Sequence, residues 1–382
     1  MAELFEGITG LTWGHIGMFA VGLALIWAAI KKEYEPMLLL PIGFGAILAN
    51  IPNSSAVGEH GVLTYLLKHG IENELFPTLI FVAIGAMMDF GPLLRRPIML
   101  CFGFAAQVGI LCTMYLARCC GFELGQATAI GIIGAADGPT SIFVASRLAK
   151  DMLGPISVAA YSYMALVPLI QPPVVRALTT KKERCMRMPY EGGDVSKTVR
   201  ICFPIIITII AGLVAPMCAA LVGMLMFGNL IRECGVLERL SKCAQNELAN
   251  LVTLLLGITI GSTMAADKFL TKDTLIIMAL GLAAFIFDTA GGVIFAKIMN
   301  LFLRKKVNPM VGAAGISAFP MSARVIQKLA QEEDPSNVIL PYTVSANVAG
   351  QIGSVFVGGM LLAVATWMIA NGYDLPIPAF LQ

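Results

Sequence analysis

GIIGAADGPTSIF, Gly131 to Phe143, is the stretch whose reading decides the fold. It sets one acid, Asp137, inside a long apolar run and surrounds it with Gly134, Gly138 and Pro139. Glycine loosens the backbone and proline removes a donor, so the segment is not expected to run as an unbroken helix. A carboxylate at membrane depth costs about 2.5–3.5 kcal/mol even on the lenient insertion scale. Irregular backbone at that depth survives only where protein or enclosed water covers it. The stretch predicts a break buried among membrane helices, with Asp137 the first candidate for ion or proton chemistry.

The rest of the chain fits a bilayer. Of 382 residues, 57% are hydrophobic and 13% charged, against ~25% charged in soluble domains, and the mean hydropathy is +0.81. This is the composition of an all-α, multi-pass integral membrane protein with room for about ten helices of ~20 residues. The opening MAELFEG has no basic n-region, so the first apolar segment is expected to be retained and not cleaved as a signal. The net charge of +2 gives no reason to expect nucleic acid, because the basic residues sit in short loops between apolar spans. Nine cysteines lack CxxC or Cys/His spacing, and His15, His60 and His69 fall outside predicted mid-membrane positions. No transition-metal site is expected, and a buried proton donor must be Asp, Tyr or water.

Charge in the loops sets the topology. Lys31-Lys32, Arg95-Arg96, the run KKERCMR (Lys181 to Arg187) and Arg304-Lys305-Lys306 all belong on the cytoplasmic side by the positive-inside rule. Two full spans over 124–148 and 154–178 would put Lys181–Arg187 outside. The conflict vanishes if 124–150 enters and leaves on one side as a re-entrant hairpin. The same count works beyond residue 200 if 308–330, with Pro309 and Pro320, is a second hairpin entered from the cytoplasm. About ten spans and two opposed hairpins remain.

An internal repeat agrees with this count. At an offset of about 178 residues, GFGAI (43–47) matches LVGML (221–225), and IGAMMDFGPLL (84–94) matches IGSTMAADKFL (260–270). GFAA (103–106) matches GLAA (281–284), and GAADGPTSIFVASR (134–147) matches GAAGISAFPMSAR (312–324) with one residue slipped. Matched segments have opposite orientation, so the expected architecture is an inverted-topology repeat. It comprises residues 1–180, a basic cytoplasmic linker over 181–200, and residues 201–382. Such folds hold ions and substrates at the midplane, where broken segments meet.

The hairpins carry Asp137, Thr140 and Ser141 from the first repeat and Asn308, Ser317, Ser322 and Arg324 from the second. One carboxylate among neutral oxygens suits Na⁺ better than a divalent ion, which recruits more charge. The plainer alternatives are hydroxyls that bond back to their own helices, and an Asp137 paired with Arg147 or Arg324. Tyr161 and Tyr163 are two-thirds of a turn apart, so one of them is expected to line a central cavity; packing or interfacial roles compete for both. Asp288, inside FIFDTAGGV (285–293), is a second costly intramembrane acid and a candidate for ion or proton relay, with a structural role as the alternative.

On four long strings the chain resembles the membrane beta subunit of biotin-dependent, sodium-pumping decarboxylases. They are GIIGAADGPTSIF, VAAYSYMALVPLIQPP (158–173), NPMVGAAGISAFPMSAR (308–324) and NVAGQIGS (347–354). The resemblance implies decarboxylation of carboxybiotin coupled to Na⁺ export, with consumption of a proton. It implies ion binding or proton coupling at Asp137, a place for Tyr163 in the proton path, and functional roles for Asn308, Gly312, Ser317 and Arg324. In the mechanism expected here, Na⁺ binds between the hairpins on Asp137 and Ser317, with Asn308 and Gly312 as further Na⁺-binding candidates, and Arg324 holds the carboxylate of carboxybiotin.

Biotin would ride on a partner subunit. The expected partners are a carboxyltransferase, a biotin carrier, a small membrane-anchored subunit and further copies of this chain, in a bacterial cytoplasmic membrane. A Na⁺-coupled secondary carboxylate carrier is the alternative from another class, since it needs the same hairpins and midplane cation site.

Overall fold

The computed structural model describes residues 6–33, 35–189, 193 and 195–375. Residues 1–5 of the opening MAELFEG, and 190–192 and 194 of the linker, lie outside the described residues. Among the described residues all regular structure is helical. Among the described residues, six helices are long and apolar enough to cross a membrane, or up to eight when each of two bent helix pairs counts as one span. The longest, Lys272–Phe302 and Leu340–Ala370, have 31 residues each.

Two segments expected to span fall short of that count. Pro36–Ala49 has 14 residues and Ala219–Glu233 has 15, which is about 21–23 Å of helix against a hydrocarbon core of ~30 Å. Each packs one face closely against a neighbouring helix. Pro36–Ala49 lies along Ala249–Ser262, where a β-carbon on Gly45 would stand 2.3 Å from the Ile258 carbonyl oxygen. Ala219–Glu233 lies along Leu75–Met87, where a β-carbon on Gly85 would stand 1.8 Å from the Leu225 carbonyl oxygen. Close backbone approach through small residues is how helices associate when lipid supplies no hydrophobic drive between them. An asparagine closes each pair. The Asn50 amide donates to the Met264 carbonyl at 2.7 Å, and the Asn229 amide donates to the Met88 carbonyl at 2.9 Å.

Two broken segments occupy the middle of the molecule. In the first, Leu124–Ile132 and Gly138–Leu148 are joined by a single 3₁₀ turn, Ile133–Ala135, then Ala136 and Asp137. Ala136 turns the chain at φ 53°, in the left-handed region. The arms fold back on each other: a β-carbon on Gly125 would stand 2.8 Å from the Leu148 carbonyl oxygen, and Gln126 donates to Asp151 at 3.0 Å. The second segment has one helical turn, Met310–Ala313, a loop, and the helix Met321–Glu333. Its ends meet too. Asn308 and Asn337 each donate to the Arg184 carbonyl at 3.1 Å, and Asn308 also donates to Met186 at 2.9 Å.

The tips of the two segments touch, because the amide and hydroxyl of Ser317 both donate to the Ala135 carbonyl, at 3.0 and 2.6 Å. The described part of the basic linker is fastened to the far end of the second segment. Arg184 bonds Glu333 at 2.8 Å, Arg187 bonds Asp334 at 2.8 Å, and Lys297 pairs with Glu183 at 3.1 Å.

Candidate functional site

Asp137 is the N-cap of Gly138–Leu148. Caps favour Asp because its carboxylate accepts an otherwise orphaned amide and faces the positive end of the helix. Here Oδ1 accepts from the Thr140 amide at 3.4 Å, and Oδ2 accepts the Thr140 hydroxyl at 2.7 Å. Two further donors come from Leu340–Ala370: the Gln351 amide at 2.8 Å and the Ser354 hydroxyl at 2.6 Å, both to Oδ2. The carboxyl is 2% exposed, and all its hydrogen-bond partners are neutral.

Neither arginine weighed as a partner reaches it. Arg147 is ion-paired with Glu74. Arg324 is exposed, with no hydrogen bond or ion pair to its side chain among the described residues. Of the hydroxyls, Thr140 serves the carboxylate, whereas Ser141 bonds back to the Asp137 carbonyl at 2.9 Å.

Beside Asp137 lies a cavity of about 220 Å³. Asp137, Ser317, Gln351 and Tyr161 line it, and Glu35 contributes a second carboxyl. Tyr161 is the tyrosine that faces this space. Its ring packs over the break, where a β-carbon on Gly138 would stand 2.2 Å from Cε1. Tyr163 points elsewhere, and its hydroxyl donates to the Met278 carbonyl.

The remaining candidates sit apart from the carboxyl. Asn308 is fully buried and holds the linker carbonyls of Arg184 and Met186. Gly312 lies backbone to backbone with Gly292, where a β-carbon would stand 2.0 Å from the Gly292 carbonyl oxygen. Ser322 shares the amide of Gln171 with the Ala313 carbonyl, at 2.8 and 2.7 Å. Asp288 is wedged between Gly109 and Gly134, its oxygens facing the Gly109 and Ile110 amides without a hydrogen bond of normal geometry. It therefore touches the first broken segment from behind, three residues before Asp137.

The structure adds Gln351, Ser354 and Asn347 to the site and turns Tyr161, of the two tyrosines, toward it. Asn347 donates to the Ile316 carbonyl at 2.6 Å, next to the tip contact. Asn347, Gln351 and Ser354 recur at intervals of four and three, which is one face of a helix. That spacing in NVAGQIGS was the available signal.

A carboxyl held by neutral donors lies where two broken segments meet inside a helical membrane bundle, a setting in which intramembrane acids are expensive and ions are bound in other membrane folds. The comparisons with known proteins narrow the class. Residues 14–365 match the family described as Na⁺-transporting oxaloacetate decarboxylase beta subunit, and the chain belongs to that family. It is 49% identical to the glutaconyl-CoA decarboxylase subunit beta of Acidaminococcus fermentans over 359 residues, covering 94% of this chain and 95% of the relative. It is 47% identical to the methylmalonyl-CoA decarboxylase subunit beta of Propionigenium modestum, covering 94% and 96%. It is 44% identical to the oxaloacetate decarboxylase beta chain of Klebsiella pneumoniae, covering 95% and 99%. These relatives are subunits of decarboxylases, and the secondary-carrier reading is not favoured.

Proposed function

We propose that this chain is the membrane subunit of a sodium-pumping decarboxylase. It releases CO₂ from carboxybiotin brought by a biotin carrier, and it couples that step to Na⁺ export with uptake of a proton. One observation carries the ion site: Asp137, a buried carboxyl at the contact between two broken segments, accepts the hydroxyls of Thr140 and Ser354 and the amide N–H of Gln351, and Ser317 lines the same cavity. Hydroxyl oxygens beside one carboxylate match the needs of a hard monovalent cation. Na⁺ is here cargo, bound on Asp137 and Ser317. Asn308 and Gly312 act at the base of the second segment, where they fix its ends and its distance from Lys272–Phe302.

Loss of CO₂ breaks the N–C bond of carboxybiotin and leaves its electron pair on nitrogen, which takes up one proton. The guanidinium of Arg324, exposed and without a partner among the described residues, is suited to bind the departing carboxylate by charge-assisted bonds. For the proton path the family resemblance offers Tyr163, whereas the cavity beside Asp137 favours Tyr161.

The architecture we propose is an inverted repeat with two opposed re-entrant hairpins. The matched asparagine contacts of Asn50 with Met264 and Asn229 with Met88 support the repeat. The meeting of Gly125 with Leu148, and of Asn308 and Asn337 on one carbonyl, supports the hairpins. The relatives are named as beta subunits, and the complex we propose adds a carboxyltransferase, the biotin carrier, a small membrane-anchored subunit and further copies of this chain, in the bacterial cytoplasmic membrane.

The test is Asp137→Asn in the complete complex reconstituted into vesicles. Decarboxylation-driven uptake of ²²Na⁺ is expected to vanish. Uptake at the wild-type rate would overturn the reading.

A further inference from the structure

Among the described residues, the cavity beside Asp137 is lined by two acids, Asp137 and Glu35, and by no lysine, arginine or histidine. Glu35 stands between the basic end of Trp13–Lys32 and the start of Pro36–Ala49. The loop charge of Lys31-Lys32 places that end at the cytoplasmic surface. Asn250 and Thr253, at the start of Ala249–Ser262, share the same wall. The Glu35 end of the cavity is therefore the end nearer the side from which an exported cation must enter.

Glu35 behaves unlike a residue left there by chance. Its backbone sits at φ 36°, in the left-handed region that residues with a β-carbon avoid, and it directly precedes Pro36. Such conformations persist where surrounding structure imposes them, and they cluster at functional sites. Its side chain is only partly exposed, yet it makes no hydrogen bond and no ion pair among the described residues. It does not cap the helix that follows. Lys31 and Lys32 are close in sequence and remain unpaired with it. Glu35 instead shares the cavity with Tyr161 and Asp137.

We propose that Glu35 is a cation-recruiting residue at the cytoplasmic mouth: its carboxylate draws Na⁺ into the cavity and raises the local concentration that Asp137 samples. A low-dielectric cleft lined by one sign of charge concentrates counter-ions and repels ions of its own sign. The same field disfavours the anionic carboxylate of carboxybiotin, so this cavity serves the cation and the carboxylate is received elsewhere. The inference deepens the Na⁺-export reading and rests on it.

The experiment uses the complete complex in vesicles and measures decarboxylation and ²²Na⁺ uptake against external Na⁺. Glu35→Gln is expected to raise the apparent KM for Na⁺ by about three- to tenfold with little change in kcat, an effect of lost field and not of lost chemistry. Choline chloride should raise the wild-type KM by screening and have less effect on the variant. Glu35→Cys supplies a test within one folded protein. Attaching a sulfonatoethyl group should lower its Na⁺ KM, and attaching a trimethylammonioethyl group should raise it, with the unsubstituted chain as control for its native cysteines. Equal KM values for wild type and Glu35→Gln, or equal effects of the two reagents, would overturn the proposal. Asp137→Asn separates the two levels. Na⁺ dependence surviving that change would sink the underlying site, whereas its loss beside an unaltered Glu35→Gln would remove only the recruiting role.

Discussion

The hydroxyl of Ser317 donates to the carbonyl of Ala135 at 2.6 Å, across 182 residues of sequence. Ala135 ends the last turn before the first break, two residues ahead of Asp137. Ser317 lies in the loop of the second broken segment, which has few internal hydrogen bonds of its own. The contact therefore ties the segment that carries the acid to the segment whose ends hold the basic linker. A movement of either tip changes the surroundings of Asp137.

Ser317→Ala keeps the amide bond to Ala135 and loses the hydroxyl bond. One net hydrogen bond contributes about 0.5–1.5 kcal/mol, so the purified complex is expected to unfold only slightly earlier on heating in detergent. Coupling should suffer more than stability, with fewer ²²Na⁺ transported per CO₂ released. An unchanged ratio would mean the tip contact plays no part in coupling.

Gln351 and Ser354 supply two of the donors to Asp137 from Leu340–Ala370. Ser354→Ala leaves the carboxylate short of one buried partner, a cost of about 1–3 kcal/mol. The expected result is a weakened Na⁺ site, with an apparent KM about three- to tenfold higher in a Na⁺ titration of decarboxylation. Gln351→Leu should act in the same direction and more strongly, because it removes a cavity-lining oxygen as well as a donor.

The two tyrosines make opposite predictions. Tyr161 is buried against Gly138 in the cavity, with a hydroxyl that has no hydrogen-bond partner among the described residues. Tyr163 is tied to Met278 on a neighbouring helix. If proton delivery runs through the cavity, Tyr161→Phe lowers kcat by at least tenfold, while Tyr163→Phe mainly lowers thermal stability. The reverse order in steady-state decarboxylation would place the donor at Tyr163 and require its bond to Met278 to open during turnover.

How much of this was legible in the sequence depended on what each residue has to satisfy. The break at Asp137 was visible because an acid, glycines and a proline in an apolar run contradict a plain helix. Loop charges then suggested a fold-back, and the close approach of Gly125 to Leu148 is compatible with one. Gln351 and Ser354 stayed hidden for a different reason. Leu340–Ala370 is apolar on nearly every face, so its pattern does not say which side turns inward. The choice between Tyr161 and Tyr163 depends on the rotation of Leu153–Ala165, which packing against Gly138 and Gly281 sets and local sequence does not. Asn308 is the instructive case. Its buried amide looked like a cation ligand, and its partners are backbone carbonyls of a linker more than a hundred residues earlier.

Helix packing supplies a prediction about stability alone. A β-carbon on Gly85 or Gly228 would press on the Leu225 or Val82 carbonyl oxygen at 1.8 or 2.0 Å, which backbone cannot yield without separating the helices. Gly85→Ala is therefore expected to cost about 1–3 kcal/mol or more, as overpacking does. Gly58→Ala is a weak control, because nothing lies within 4 Å of it but its φ is 102°. Gly223→Ala, with its nearest neighbour at 3.7 Å, is the better one. Thermal midpoints in detergent should fall for Gly85→Ala and stay level for Gly223→Ala.

The linker offers a pH test outside the membrane. The Arg187 guanidinium, helped by the hydroxyl and amide of Ser336, holds the Asp334 carboxyl down to about 2. An unfolded aspartate titrates near ~3.9. Because the folded value is the lower one, the contact's stabilisation is complete above about pH 4 and disappears as pH falls through about 2. Pepsin is active across that window and reads the linker directly. Cleavage within 181–189 should be slow at pH 4 and rise steeply toward pH 2, while peptides from Lys272–Phe302 stay uncut. Asp334→Asn lacks the charge at every pH, so its linker should already be cut at pH 4. If both proteins follow one pH course, Arg187 and Asp334 do not fasten the linker, and the Arg184 contact with Glu333 and the Asn308 and Asn337 amides must hold it instead.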